Sequence, residues 1–186
     1  MTNTLTPPAS EEYAEFYADY IQRAVKRRDV IAALPLQVDE IRSALGHLTD
    51  EQARFKFGPF DGAQDKPAEW SIKEVIGHVN DTERIFSYRL LRISRNDQTP
   101  LPGFDQNDYV REAGFDNFPL SDLLDEFEFL RRANILAIKN MSGEAVSRSG
   151  IASDAAVSAR ALIYVLAGHV EHHMASLQEN YLPALK

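Results

Sequence analysis

The sequence predicts an all-α protein: a four-helix bundle with a long crossover between its second and third helices and a short N-terminal helical extension. Three observations carry this. Apolar residues recur at three- and four-residue spacing along four long segments, the period of a helix with one buried face. Capping residues open several of those segments. No run of Val, Ile and Thr alternates with polar residues between turn signals, so no strand is expected.

Residues 10–27, rich in Tyr and Phe, read as a short helix, and residues 1–28 as an extension preceding a bundle of residues 29–186. Lys26-Arg27-Arg28 reads as a solvated helix end, too short to argue for nucleic-acid binding. Residues 29–48 carry Val30, Ile31, Leu34, Val38, Ile41 and Leu45, but Pro35 interrupts them and implies a kink or a start there. The clearest helix covers residues 71–96. Ser71-Ile-Lys-Glu74 is a capping box, and Ile72, Val75, Ile76, Val79, Phe86, Leu90 and Ile93 follow at helical spacing. The crossover, residues 97–119, holds four Pro and Gly positions before Pro119, a capped turn at Asp105–Tyr109, and Phe104, Tyr109 and Phe115 as anchors. A third helix, residues 121–141, opens on Ser121 and places Leu123, Leu124, Phe127, Leu130, Ile135 and Ile138 in one stripe. Residues 142–156 form a link with a weak helical turn. The last helix, residues 158–180, has Leu162, Val165, Leu166, His169, His173 and Leu177 on one stripe.

Composition narrows the chemistry. The 186 residues include 20 Lys and Arg, 28 Asp and Glu, and no Cys, giving a net charge of −8. Without cysteine there is no disulfide framework, thiolate metal site or cysteine nucleophile. The acidic balance disfavours nucleic acid and anionic membranes as partners. No stretch approaches the ~20 apolar residues of a membrane span. Residues 1–8 lack the basic and apolar regions of a secretory signal, so a cytoplasmic location is expected.

Any metal must then be held by histidine, carboxylate, backbone or water, and the chain has 5 histidines. His169 and His173 are four residues apart on one helix face and both lie on its apolar stripe. Buried imidazoles need partners, and this pair suits bidentate metal binding. His172 is a second-ranked alternative to His173. Val170 stands where a zincin has its glutamate, and Glu171, about 200° around the helix from His169, faces away. His78 is the third candidate. Both His78 and His169 follow a glycine, which costs a helix ~1 kcal/mol and suggests close backbone approach. Glu74, Asp81 and Thr82 share the His78 face, and Asp81 could orient a ring or join a metal. Glu83 points elsewhere and reads as a surface ion pair. His47 reads as a helix C-terminal histidine favoured by the dipole, ahead of a Thr49–Gln52 capping box. Three neutral imidazoles with an open fourth position match a catalytic zinc site and also suit nickel, copper or iron. No G-x-S-x-G elbow or phosphate loop is present.

Trp70-Ser-Ile-Lys-Glu-Val-Ile-Gly-His78-Val-Asn-Asp81-Thr-Glu-Arg84, followed by Ala167-Gly-His169-Val-Glu-His-His173, resembles the DinB-like superfamily of damage-inducible bundle proteins. That superfamily includes bacillithiol- and mycothiol-dependent S-transferases. Residues 100–109 are similar to its crossover, and the resemblance spans residues 29–182. It implies a four-helix bundle and a divalent metal, often nickel or zinc, on His78, His169 and His173. It also implies a homodimer. The expected function is a metal-dependent enzyme that activates a low-molecular-weight thiol, or water, for attack on a small electrophilic substrate. The alternatives are a non-catalytic metal-binding stress-response or interaction bundle, and a helical bundle with no metal.

Overall fold

The computed structural model describes residues 5–57 and 70–185. Residues 1–4, read above for a targeting signal, lie outside them. Two 3-10 turns, Ser10–Glu12 and Glu15–Tyr17, lead into helix α1 (Ala18–Lys26). Helix α2 (Val30–Leu45) starts where the Asp29 carboxylate accepts from the Ile31 and Ala32 N–H groups, and it continues through Pro35. Helix α3 (Ile72–Ser94) opens on the Ser71–Glu74 capping box. Within the crossover, Asp105 caps a two-turn helix α4 (Gln106–Ala113), longer than the single turn expected, and Gly114 ends it at φ 66°. Helix α5 (Leu120–Lys139) starts one residue before Ser121, with Pro119 at the N-cap. Helix α6 (Gly143–Ser147) is the short turn expected in the link. Helix α7 (Ala159–Ser176) is capped by Ser158 and continues as a π turn, Leu177–Tyr181.

The expectation of no strand fails at one place. Strands β1 (Ser149–Ala152) and β2 (Ala155–Ser158) pair antiparallel, with Ala152 opposite Ala155. Ser153 and Asp154, at φ 52° and 59°, make the two-residue turn with both φ values positive. Four-residue strands of Ser, Gly and Ala with a single Ile or Val carry no alternating apolar signal. The crossover locks onto the hairpin, as the Leu101 N–H donates to the Ile151 carbonyl and the Ser153 N–H to that of Leu101.

Helices α2, α3, α5 and α7 form the bundle. Helix α7 is its axis: residues 161–170 are all buried, because α1, α2 and α3 all pack on it. The buried apolar residues form two clusters. One contains Leu34, Phe86, Ile138 and Ala167 together with Tyr17, Ile21 and Ala24 from the N-terminal segment. The other contains Val38, Val79, Phe127 and Val170. Along the four bundle helices, buried Gln37, Thr82, Glu83, Arg131 and His169 fall between the two sets. A polar layer therefore crosses the middle of the bundle. No helix among the described residues is long and apolar enough to cross a membrane.

Close helix approach explains Gly168. A Cβ there would lie 1.7 Å from the Tyr20 carbonyl oxygen of α1, so only glycine lets α1 sit on α7. Gly168→Ala is expected to destabilise the metal-free protein at or above the upper end of the ~1–3 kcal/mol range for overpacking. The readout is a lower urea midpoint at unchanged slope. Gly77 has a different reason: its missing Cβ makes room for the Phe115 ring, 2.3 Å from where that atom would be. Phe115 thus anchors the crossover, while Tyr109 is exposed.

Candidate metal centre

Helix α3 presents His78, and α7 presents His169 and His173 one turn apart. All three are buried. The Nε2 atom of His169 lies 3.1 Å from His78 Nε2 and 2.9 Å from His173 Nε2. One ligand atom from each ring lies within 4.8 Å of the others. Metal–nitrogen bonds of ~2.0–2.1 Å separate tetrahedral donors by ~3.4 Å, so those two separations would widen by a few tenths of an ångström to take an ion.

Thr82 sets the proton on one of these rings. Its hydroxyl lies 2.8 Å from the His78 carbonyl and 3.0 Å from that of Val79, and so donates back along α3. A lone pair on the same oxygen then accepts from His169 Nδ1, 3.2 Å away. With Nδ1 protonated, His169 Nε2 presents a bare lone pair towards the other two rings. Burial, with help from the neighbouring imidazoles, lowers His78 to about 3 and holds His169 and His173 well below the ordinary range. All three are neutral at pH 7, the state a metal requires. Thr82→Val keeps the shape and removes the acceptor. It is expected to weaken metal affinity 10–100-fold, measured by competition with a chromogenic chelator.

Aromatic rings wall the triad. Trp70 stands 4.9 Å from the His78 ring, and Tyr20 and Phe86 stand 5.2 and 5.6 Å from that of His169. A cavity of about 180 Å³ reaches the centre, lined by His78, His169, Thr82, Phe86, Tyr20 and Arg89 among others. Among the described residues none that lines it is a carboxylate.

Other residues singled out in the sequence lie apart from the triad. Asp81 is held by Arg84 at 3.8 Å, with burial pushing its carboxyl up, and Thr82 rather than Asp81 reaches a histidine ring. His172 is only partly buried, and its Nδ1 lies 3.2 Å from Asp19. His47 is exposed, and the Thr49–Gln52 capping box beyond it is formed. Glu171 faces away from the triad, as expected, and binds Arg27 at 2.8 Å and Gln37 at 2.5 Å. Arg27 is therefore not a solvated helix end: it ties α1 to α2 and α7 through Glu40 and Glu171. Glu83 is not a surface group. It pairs with Arg131 at 2.8 Å, and both are almost wholly buried. Arg131 and Arg89 went unremarked in the sequence. Each is an arginine on an otherwise apolar helix face, which was the available signal.

A family model described as the DinB superfamily matches residues 33–177. No curated protein sequence matches the chain. Among solved structures, the fold is similar to YfiT from Bacillus subtilis, described as a probable metal-dependent hydrolase with an unusual four-helix bundle topology. The TM-score is 0.67 at 16% identity, covering 94% of this chain and 90% of that one. It is also similar to a mycothiol-dependent maleylpyruvate isomerase, with TM-score 0.61 at 14% identity. That match covers 79% of this chain and 59% of the other.

Proposed function

The chain belongs to the DinB superfamily, and from that premise we propose a metal-dependent enzyme acting on small electrophilic substrates, with thiol S-transfer as its first form. The observation that carries this is the convergence of three buried, neutral imidazoles, two of which, His78 and His169, line a small cavity. His78, His169 and His173 would hold a divalent ion; an all-imidazole donor set suits zinc, nickel, copper and iron alike, and the family resemblance favours nickel or zinc. When bound, such an ion acts as a Lewis acid and lowers the pKa of a thiol or water at its open position. Thr82 holds the proton on His169 Nδ1, and the surrounding aromatic rings exclude bulk water. Among the described residues no carboxylate lines the cavity to serve as general base, and the chain has no cysteine; on this reading the nucleophile is brought in from outside. A low-molecular-weight thiol or water fits that need. The probable metal-dependent hydrolase and the mycothiol-dependent isomerase of similar fold support the two versions.

The test is turnover by metal-loaded protein across a panel of thiols and electrophiles. Thiol-dependent loss of electrophile supports transfer, and metal-dependent loss without thiol moves the reading to hydrolysis. No turnover in either arm leaves the non-catalytic stress-response bundle. We further propose a cytoplasmic homodimer. Phe129 and Leu136, exposed at 69% and 61% and two turns apart on α5, support self-association, which sedimentation would measure.

A further inference from the structure

Arg89, on α3 two turns beyond Thr82, is a buried cation with an unusual set of partners. Its Nη1 donates to the Tyr17 hydroxyl at 3.0 Å, and its Nη2 to the Pro102 carbonyl at 2.8 Å and the Ser153 hydroxyl at 2.9 Å. All are neutral. Among the described residues no carboxylate pairs with it, although it is only 3% exposed. Arg131, equally buried, has Glu83. A buried guanidinium compensated only by neutral oxygens still favours an anion beside it.

The place of Arg89 suggests what that anion is. Arg89 lines the inner cavity that reaches His78 and His169, and also an outer cavity of about 280 Å³ under the crossover. The outer cavity is walled by Ile85, Tyr88, Leu101, Phe104 and Tyr109. Among the described residues no carboxylate lines either one, in a chain whose net charge is −8. Three of the five Arg89 N–H donors are taken by Tyr17, Pro102 and Ser153, which leaves the Nε–H and one Nη1–H to donate to a carboxylate oxygen in a charge-assisted hydrogen bond. We infer that Arg89 anchors a subsite for a small carboxylate-bearing ligand at the junction of the two cavities. The apolar body of the ligand occupies the outer cavity or extends inward. That its reacting end points to the imidazoles rests on the function proposed above; the carboxylate seat itself does not.

The probes are butyrate and its uncharged isostere butyramide, titrated into full-length protein, metal-free and zinc-loaded, with the Arg89 Nε–Hε resonance followed by NMR. In metal-free protein butyrate is expected to bind at least ten-fold tighter than butyramide and to move that resonance. Arg89→Gln should abolish the preference, and Arg89→Lys should retain part of it. The subsite is refuted by equal binding of the two probes or by no binding. It is equally refuted by a preference that survives intact in Arg89→Gln or appears only with zinc present. Should Arg89→Gln fail to fold, an unmoved Nε–Hε resonance in the wild-type protein refutes it too. A chain that binds no metal yet keeps the butyrate preference overturns the proposed function and leaves the subsite standing.

Discussion

Glu83→Ala is expected to lower the unfolding free energy by about 3–5 kcal/mol, the cost of stranding a buried charge. Arg131 holds both Glu83 oxygens at 2.8 Å, and Asn134 donates to one of them at 2.8 Å. The guanidinium also donates to Gln37 Oε1 at 2.6 Å and to the Leu166 carbonyl at 3.0 Å. Gln37 in turn donates to the Ala167 carbonyl at 2.8 Å. One network thus joins α2, α3, α5 and α7 immediately before His169. Removing the carboxylate leaves a dry guanidinium without its counter-ion. A double variant, Glu83→Leu with Arg131→Met, removes both charges and should recover much of the loss, since apolar replacements of buried pairs are often tolerated. Urea unfolding of the metal-free variants measures both effects. A loss below about 1 kcal/mol for Glu83→Ala would mean that the pair does not hold the layer together.

The metal-free protein should also lose stability on acidification through the pH range where free histidine titrates. Burial depresses the three folded-state imidazoles, His78 to about 3, against an ordinary value of 6.5. Between those values the unfolded chain binds more protons than the folded one, so stability rises with pH. The stability is present above about 6.5 and drains away as pH falls towards the folded values. From pH 6.5 to 5.5 each imidazole accounts for about 1 kcal/mol, or about 3 for the triad. His169→Leu should remove roughly a third of that slope. Adding zinc or nickel at pH 7 to a thousand times its dissociation constant should add about 4 kcal/mol, and a chelator should reverse it. An unchanged slope in the His169→Leu variant would show that the imidazoles do not titrate as buried groups.

Much of this was legible in the sequence because helices report themselves locally. Ser71 with Glu74, Asp29 and Ser158 mark helix starts, and His169 and His173 share a face by spacing alone. The link from His78 to that pair, across 91 residues, was suggested by the two Gly-His pairs and the polar face around His78 and strengthened by the family resemblance, since spacing says nothing about which helices meet. Three features were hidden for physical reasons. The Ser149–Ser158 hairpin is short and poor in β-branched residues, and its pairing with Leu101 is non-local. Glu83 looked like a surface acid because its partner Arg131 lies 48 residues away, on another helix. The polar layer is spread over four helices, one or two residues on each, so every stripe still reads as apolar. Arg89 is concealed in the same way, between Phe86 and Leu90 on the buried face of α3.

The central claim is that His78, His169 and His173 together bind one metal ion. It is tested most directly by elemental analysis of untagged protein after incubation with nickel or zinc and exhaustive desalting, paired with X-ray absorption at the metal edge. The predicted result is close to one ion per chain with three imidazole nitrogens in its coordination shell, lost in a folded His169→Ala/His173→Ala variant. A folded wild-type protein that retains no metal, or a double variant that retains as much as the wild type, would contradict the claim.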